Sequence, residues 1–229
     1  MRKKSLHIPS LERDACGIGC VVNIDGEPTY EIIDDAINML ENMEHRGATG
    51  SDPATGDGAG LLIRIPHQLF KTECKNLDII LPEYGKYGVG MFFFPAETNI
   101  REECKKVFKS HADELGFEIL GYRKVPVDQQ IPGLAAKNTQ PQIEQIFVVP
   151  RDKNIEQDDL ERKLFVLRNY TTHFIGHYVP GNRGRFYVAS LSSRIIIYKG
   201  QLRTDQVRPF YYDLQDSNTR SSMAMVHSR

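Results

Sequence analysis

The first predicted strand begins in a run of small residues, Asp14-Ala15-Cys16-Gly17-Ile18-Gly19. Residues 17–24 are mostly apolar and are followed by the turn pair Asp25-Gly26, which predicts a partly buried strand. Pro28-Thr29 then predicts the start of a helix with the threonine as its N-cap, and apolar side chains recur at helical spacing from Ile32 to Met43. These residues therefore predict a strand directly after Cys16, followed by an amphipathic helix.

The composition is that of an ordinary globular chain. The 229 residues are 40% hydrophobic and 26% charged, with a formal net charge of −1. A chain of this length forms one large domain or two small ones and can bury a substantial core. It has no basic stripe of the kind that binds nucleic acid, and its longest apolar runs are too short to span a membrane. We therefore expect neither a nucleic-acid nor a membrane partner.

The N-terminus and the number of cysteines indicate the cellular compartment of the protein. The basic start, Met1-Arg2-Lys3-Lys4, is not followed by the apolar segment of a secretion signal. Four cysteines in a chain of this length do not make a disulfide framework. Both observations predict a cytoplasmic protein.

The remaining pattern predicts an α+β fold in which helices cover antiparallel sheets. Further helices are predicted at 67–74, 99–115 and 157–176, the last with Leu160, Leu164, Leu167 and Phe174 facing inward. Strands are predicted at 61–65, 88–94, 117–124, 143–149, 186–190, 194–198 and 223–226. Residues 126–141 are expected to be a long surface connection, and 213–220 a polar loop.

Cys16 has two possible roles. A free cysteine is commonly a small buried hydrophobe, whereas a nucleophilic cysteine needs a base that generates the thiolate. If residues 1–15 were removed, the α-amine of Cys16 would itself be available, and its reference pKa of about 7.7–8.0 suits general-base catalysis. A disulfide with Cys20 is disfavoured, because four residues along a strand separate the two by about 13 Å. A zinc site would need two more ligands, and neither Cys74 nor Cys104 has a Cys or His partner at the usual spacing, so we expect no metal site.

Two glycine-containing motifs follow. In His45-Arg46-Gly47, the basic residues and the glycine suit a helix C-terminus, but Arg46 could also present its planar fork to a carboxylate. The segment Thr55-Gly56-Asp57-Gly58-Ala59-Gly60 is either a loop into a strand or a backbone nest with a carboxylate. It lacks the Lys-Ser/Thr ending of a phosphate-binding loop.

The order and spacing of four blocks resemble one family. Cys16-Gly17-Ile18-Gly19, His45-Arg46-Gly47, the 55–60 segment and His227-Ser228-Arg229 are similar to the amino-terminal glutaminase domain of glutamate synthase large subunits. That domain is a class II glutamine amidotransferase of the N-terminal-nucleophile hydrolase type, and the resemblance runs from about residue 12 to the last residue. It implies a four-layer αββα sandwich.

The resemblance also implies roles for individual residues. Residues 1–15 would be a propeptide, residues 16–229 a partial glutaminase domain, and Cys16 the nucleophile that attacks the carboxamide of L-glutamine. Arg46 and Arg229 would bind the substrate, with Arg229 gripping its α-carboxylate, and Asp57 with Gly58 would shape the pocket. Gly17, His45 and Gly47 would support the site.

In the complete enzyme, the family passes ammonia to a synthase domain of the same chain, which aminates 2-oxoglutarate. That chemistry uses FMN and an iron–sulfur cluster, and a reductase subunit is a possible partner. No cofactor is expected within these 229 residues.

One family feature is absent. The Asn-Gly pair of the oxyanion hole lies beyond the His-Ser-Arg block in the family, and no Asn-Gly occurs in this sequence. We therefore expect the domain to be incomplete at its C-terminal end, Met223–Val226 to lie next to an unpaired edge, and this chain alone to have little glutaminase activity. Two alternatives stay open: a related amidotransferase with another acceptor, and a non-catalytic fragment or regulatory module in which Cys16 is structural.

Overall fold

The fold is built on two four-stranded antiparallel sheets. The computed structural model describes residues 16–44, 52, 54–182 and 184–229. The first sheet has the strand order β1–β8–β2–β7 and the second has the order β4–β5–β3–β6. The strands of the first sheet are β1 (Gly17–Val22), β2 (Ala59–Arg64), β7 (Ile195–Gly200) and β8 (Met223–Ser228), and those of the second are β3 (Gly88–Phe94), β4 (Phe117–Lys124), β5 (Gln142–Pro150) and β6 (Tyr187–Ser192). This architecture confirms the predicted α+β class.

The helices lie where apolar side chains recur at helical spacing. They are α1 (Glu31–Glu41), α2 (His67–Asn76), α3 (Thr98–Glu114), α4 (Leu134–Asn138), α5 (Gln157–Tyr178) and α6 (Val207–Phe210). In α1 the buried positions are Ile32, Ile33, Ala36, Ile37 and Leu40. Because these positions follow the 3.6-residue period, they form one stripe that packs against the first sheet.

The sheets and helices enclose two clusters of buried side chains. In one, α3 and α5 cover a face of the second sheet, and Phe92 stacks on Phe94 and meets Phe108 edge to face. In the other, α1, the first sheet and the opposite face of the second sheet share one continuous set of buried residues, from Ile33 to Phe147 and Val226. Both faces of the second sheet are thus apolar, which explains why every residue of β3 is buried.

Two helix details differ from the sequence expectation. Helix α1 begins at Glu31 and its N-cap position is Tyr30, with no side-chain cap, so the assignment of Thr29 as N-cap was wrong. Thr29 instead pairs with Ser221 as an isolated β-bridge, in which its N–H donates to the Ser221 carbonyl at 3.0 Å. Phe174 was predicted to face inward, but in α5 it is only half-buried. The buried face of α5 includes Ile175 instead.

The segment 126–141 is more than a surface connection. It contains α4, and Val127 forms an isolated bridge with Tyr211. The side-chain amide of Gln206 donates to the Ile131 carbonyl at 3.1 Å and to the Ala54 carbonyl at 2.9 Å. The segment is therefore fixed against both the chain near β2 and the chain after β7.

The expected position of the last strand was wrong. β8 is not beside an unpaired edge, because it lies between β1 and β2 and is hydrogen-bonded to both. The edges of the first sheet are β1 and β7. Residues 213–220 were predicted as a polar loop. The structure has a short 3₁₀ helix at Tyr212–Gln215 followed by a turn, and Asp213, Leu214 and Thr219 are buried.

Candidate functional site

Three predicted site residues meet at one end of the first sheet. Gly17 on β1 and Ala59 on β2 both pair with Ser228 on β8. The next residues outward are Cys16, Gly58 and Arg229, and the Arg229 N–H donates to the Gly58 carbonyl at 3.0 Å. Strands in a sheet lie about 4.8 Å apart, so Cys16 and Arg229 are neighbours although 213 positions separate them in the sequence. We call Cys16, Asp57, Gly58 and Arg229 the candidate site.

The glycines of the 55–60 segment are explained by the backbone around them. Gly58 has φ 137°, a conformation that residues with a side chain rarely adopt. At Gly60, an added Cβ would overlap the Tyr198 carbonyl and the Lys199 backbone of β7. The segment thus leads into β2. Gly60 allows β7 to approach closely, and the Gly58 carbonyl oxygen accepts the backbone N–H of Arg229.

The four cysteines fall into two pairs. Cys74 and Cys104 are fully buried, and burial raises the pKa of each thiol to about 11. They are thiols at neutral pH and therefore poor nucleophiles. Cys16 and Cys20 are exposed and free. Of these two, only Cys16 lies next to Arg229 and the entry to β2.

A cavity of about 710 Å³ opens beside the candidate site. Asp57, Gly58 and Arg229 contribute to its lining, and apolar side chains such as Phe93 and Ile143 form the opposite wall. Cys16 is not among the described residues that line the cavity. Arg229, which is next to Cys16 in the sheet register, is among them.

Two polar groups at the cavity were not singled out from the sequence. Lys199 lies 2.6 Å from the Tyr187 hydroxyl and above its ring, and both residues line the cavity. His227, which belongs to the predicted His-Ser-Arg block, also lines it. The period-2 alternation of a strand places His227 and Arg229 on one face.

Asp52 was also missed. Its carboxylate accepts hydrogen bonds from the Ala54 N–H at 3.0 Å and the Thr55 hydroxyl at 2.9 Å. The bond from the Ala54 N–H is the main reason that its pKa is lowered. Asp52 thereby fixes the start of the segment that leads to Asp57. Its Asp-x-x-Thr spacing, typical of an Asx turn, could have indicated this role.

The sequence analysis also missed a buried ionic network between the two sheets. Arg123, Gln145 and Asp213 are almost fully buried, and Tyr198 completes the network. The Arg123 guanidinium donates to Asp213 and to Glu73, and the Tyr198 hydroxyl donates to Asp213 at 2.9 Å. Burial opposes the charge on Arg123, but the bonds to Asp213 and Glu73 outweigh it and raise the pKa of Arg123 above its usual value.

Other predictions fall outside what the structure covers. His45, Arg46, Gly47 and residues 1–15 lie outside the described residues. Among residues 16–44, 52, 54–182 and 184–229, no three His, Cys, Asp or Glu side chains are grouped so that they could hold a metal ion. None of the helices in that part has the length and hydropathy needed to cross a bilayer.

Sequence comparison defines the class of protein to which this site belongs. The family model of class-II glutamine amidotransferases matches residues 16–229. The chain therefore belongs to the class-II glutamine amidotransferases, and the match begins at Cys16.

Three relatives that share high identity with the chain are named as glutamate synthases. The chain is 41% identical over 229 residues to the glutamate synthase [NADPH] large chain of Bacillus subtilis, covering 100% of this chain and 15% of that protein. It is 41% identical over 236 residues to glutamate synthase [NADH] of Saccharomyces cerevisiae, covering 99% and 11%. It is 40% identical over 219 residues to the chloroplastic ferredoxin-dependent glutamate synthase 2 of Arabidopsis thaliana, covering 95% and 13%. The chain thus spans between 11% and 15% of the length of these relatives.

Proposed function

We propose that this chain is a glutaminase domain that hydrolyses L-glutamine to glutamate and ammonia, with Cys16 as the nucleophile. The observation that carries the proposal is the placement of Cys16, Arg229 and Gly58 side by side at one end of three adjacent strands. Membership of the class-II glutamine amidotransferases supports it.

The proposed reaction has two steps. Removal of residues 1–15 frees the α-amine of Cys16, which takes the thiol proton as the sulfur attacks the carboxamide carbon of glutamine. The S–C bond forms, the C–N bond breaks, and the amine returns the proton to the departing nitrogen, which leaves as ammonia. Water then attacks the glutamyl thioester, so that glutamate is released and the thiol is restored.

The neighbouring residues bind the substrate. Arg229 is one position from Cys16 across the sheet, and its guanidinium can form two parallel hydrogen bonds with the glutamine α-carboxylate. Asp57 and Gly58 shape the same end of the site. Gly17 supports the site, because it has no side chain at the start of β1, where it pairs with Ser228. Arg46 is proposed as a second substrate-binding residue, supported by His45 and Gly47.

We further propose a four-layer αββα arrangement for the complete domain. The packing of α1 against the first sheet, and of α3 and α5 on the second, supports this arrangement. Free thiols at all four described cysteines suit a reducing compartment such as the cytoplasm.

In the longer protein, we propose that the ammonia is passed to a synthase region that aminates 2-oxoglutarate. The names of the relatives support this role, and they differ in the electron donor, which is NADPH, NADH or ferredoxin. FMN and an iron–sulfur cluster would supply the electron transfer in that region, with a reductase subunit as a possible partner. The described part of this chain offers no cysteine group that fits a cluster, because Cys16 precedes β1 and Cys20 lies on it, both exposed, while Cys74 and Cys104 are buried in different cores.

The nucleophile is tested by a glutamine-like affinity label. The protein is prepared so that it begins at Cys16 and is treated with 6-diazo-5-oxo-L-norleucine, and the labelled peptide is identified by mass spectrometry. Cys20 is a matched internal control, because it is also exposed and lies four residues further along, within β1. We expect Cys16 to be labelled selectively and L-glutamine to slow its labelling.

Equal labelling of Cys16 and Cys20, or labelling that glutamine does not slow, would show that Cys16 is not a glutamine-directed nucleophile. The alternative of a non-catalytic module with a structural Cys16 would then stand. Labelling also works where turnover is slow, which matters because no Asn-Gly pair is present in these residues to complete an oxyanion hole.

The coupling to synthesis needs a separate test. In a protein that also carries the synthase region, Cys16→Ser should abolish glutamine-dependent glutamate formation and leave ammonia-dependent formation intact. An equal loss of both activities would assign Cys16 a structural role.

A further inference from the structure

Two histidines stand one helical turn apart on the exposed face of α5. His173 and His177 are both exposed, and their ring centroids are 4.3 Å apart with an angle of 36° between the planes. Residues at positions i and i+4 lie on one side of a helix. Neither histidine belongs to the candidate site, which is built on the first sheet.

A hydrogen bond fixes which nitrogen of His177 is free. Its Nδ1 lies 2.8 Å from the His173 carbonyl oxygen. Because a carbonyl oxygen can only accept, Nδ1 must carry the proton and donate it. In a neutral ring, Nε2 is then left with its lone pair. Histidines that ligate metals commonly donate their other ring N–H to such a carbonyl, which holds the ring in place.

From this geometry we infer that His173 and His177 form a two-point binding site for a divalent transition-metal ion such as Ni²⁺, Cu²⁺ or Zn²⁺. Imidazole nitrogens suit these ions. Imidazole nitrogens bind Zn²⁺ at about 2.0–2.1 Å, and ring centroids 4.3 Å apart keep the two rings close enough to share one ion. The sequence His173-Phe174-Ile175-Gly176-His177 lacks the glutamate that follows the first histidine in helical metalloprotease sites. The site is therefore one for binding rather than hydrolysis, with water as the remaining ligand.

The competing explanation is that His177 only stabilises the end of α5. It lies in the last turn, where a positive charge favours the helix dipole. That role requires neither His173 nor the four-residue spacing. The two explanations therefore differ in what happens when the spacing is changed.

The experiment measures Ni²⁺ binding to the untagged full chain by isothermal titration calorimetry. The variants are His173→Gln, His177→Gln and the double variant His177→Gln/Tyr178→His. The double variant keeps the number of histidines but changes their spacing, at a position where Tyr178 is 67% exposed. His67→Gln serves as a control for removal of a histidine elsewhere.

We expect one site in the unaltered chain and in His67→Gln. Binding should be at least about tenfold weaker in the two single variants and in the spacing variant, because the second ligand no longer binds intramolecularly. Ni²⁺ should raise the melting temperature only where both histidines are in place. Unchanged affinity in the spacing variant or in either single variant would overturn the proposal, as would the absence of a site in the unaltered chain. None of these readouts depends on glutaminase activity.

Discussion

Arg123 and Asp213 form a buried two-point ion pair, with Nη1 2.9 Å from Oδ2 and Nη2 2.8 Å from Oδ1. The pair joins β4 of the second sheet to the segment that precedes β8 of the first. The Asp213 carbonyl also accepts a hydrogen bond from the Thr219 hydroxyl, which ties the whole turn to the same anchor. The strand that carries Arg229 is thus held from the opposite end of the sheet by a residue far from the candidate site.

The first prediction concerns this anchor. Asp213→Ala leaves the Arg123 guanidinium buried with only Glu73 and Gln145 as partners, and removing one member of a buried pair typically costs about 3–5 kcal/mol. We expect a loss of that size in the free energy of unfolding, measured by urea denaturation. The double variant Arg123→Met/Asp213→Leu removes both charges and should be more stable than Asp213→Ala alone. A double variant that is less stable than the single one would contradict this account.

The second prediction concerns substrate binding. In the protein that begins at Cys16, Arg229→Lys should weaken the protection that L-glutamine gives against the affinity label, because lysine cannot form the two-point bond with a carboxylate. A hydrogen bond to a charged group contributes about 1.5–3 kcal/mol, so the protecting concentration should rise by about 10- to 100-fold. The control is Arg220→Lys, the same change at the other end of β8, which should leave the protecting concentration unchanged. If the two substitutions had equal effects, Arg229 would not be a residue that binds the substrate.

The third prediction concerns acid sensitivity. Burial lowers the pKa of His111, which is 6% exposed and bonds to the Thr171 hydroxyl at 3.1 Å. The unfolded chain therefore binds this proton more readily than the folded chain around pH 6.5, and the stability falls as the pH decreases below that value. His111→Phe should reduce the slope of unfolding free energy against pH between pH 5 and 6.5, by at most about 1.4 kcal/mol per pH unit. Measurement at pH 8 gives the packing cost of the substitution alone. An unchanged slope would show that His111 does not carry the effect.

The fourth prediction compares two glycines of the first sheet. An alanine at Gly60 would overlap the backbone of β7, which cannot yield without breaking the β2–β7 pairing. An alanine at Gly19 would meet the flexible ends of Met39 and Met43. We expect Gly60→Ala to lower the unfolding free energy by about 1–3 kcal/mol or more and Gly19→Ala to change it by less than about 1 kcal/mol, because methionine adapts its shape easily. Similar losses for both variants would show that the side chains near Gly19 cannot move.

Local patterns predicted the elements well because their causes are local. The bounds of β3 and β4 agree with the prediction at both ends, since β3 is an apolar run that ends before Pro95 and β4 lies between Gly116 and Pro126. The buried face of α1 was also predicted, from the spacing of its isoleucines and leucine. The fold class and the order of helices and strands can therefore be predicted from patterns among residues that are close in the sequence.

Features that depend on distant residues were not predictable in this way. Asp213 resembles any aspartate of a polar turn, and its burial depends on Arg123, 90 residues earlier. The central position of β8 depends on two strands more than 150 residues away. Of the candidate site, Cys16, Gly58 and Arg229 were singled out as residues, while their contact with one another required the register of the sheet.

The place of β8 in the sheet also determines when the candidate site can form during translation. Among the described residues, β1 is an edge strand whose neighbour is β8, so residues 17–22 cannot pair with it until residues 223–228 have left the ribosome. N-terminal regions of a chain usually fold first as they emerge, but β1 must wait until β8 has been made. Cys16 is made long before Arg229, yet it comes to lie beside Arg229 only after Arg229 itself has been added.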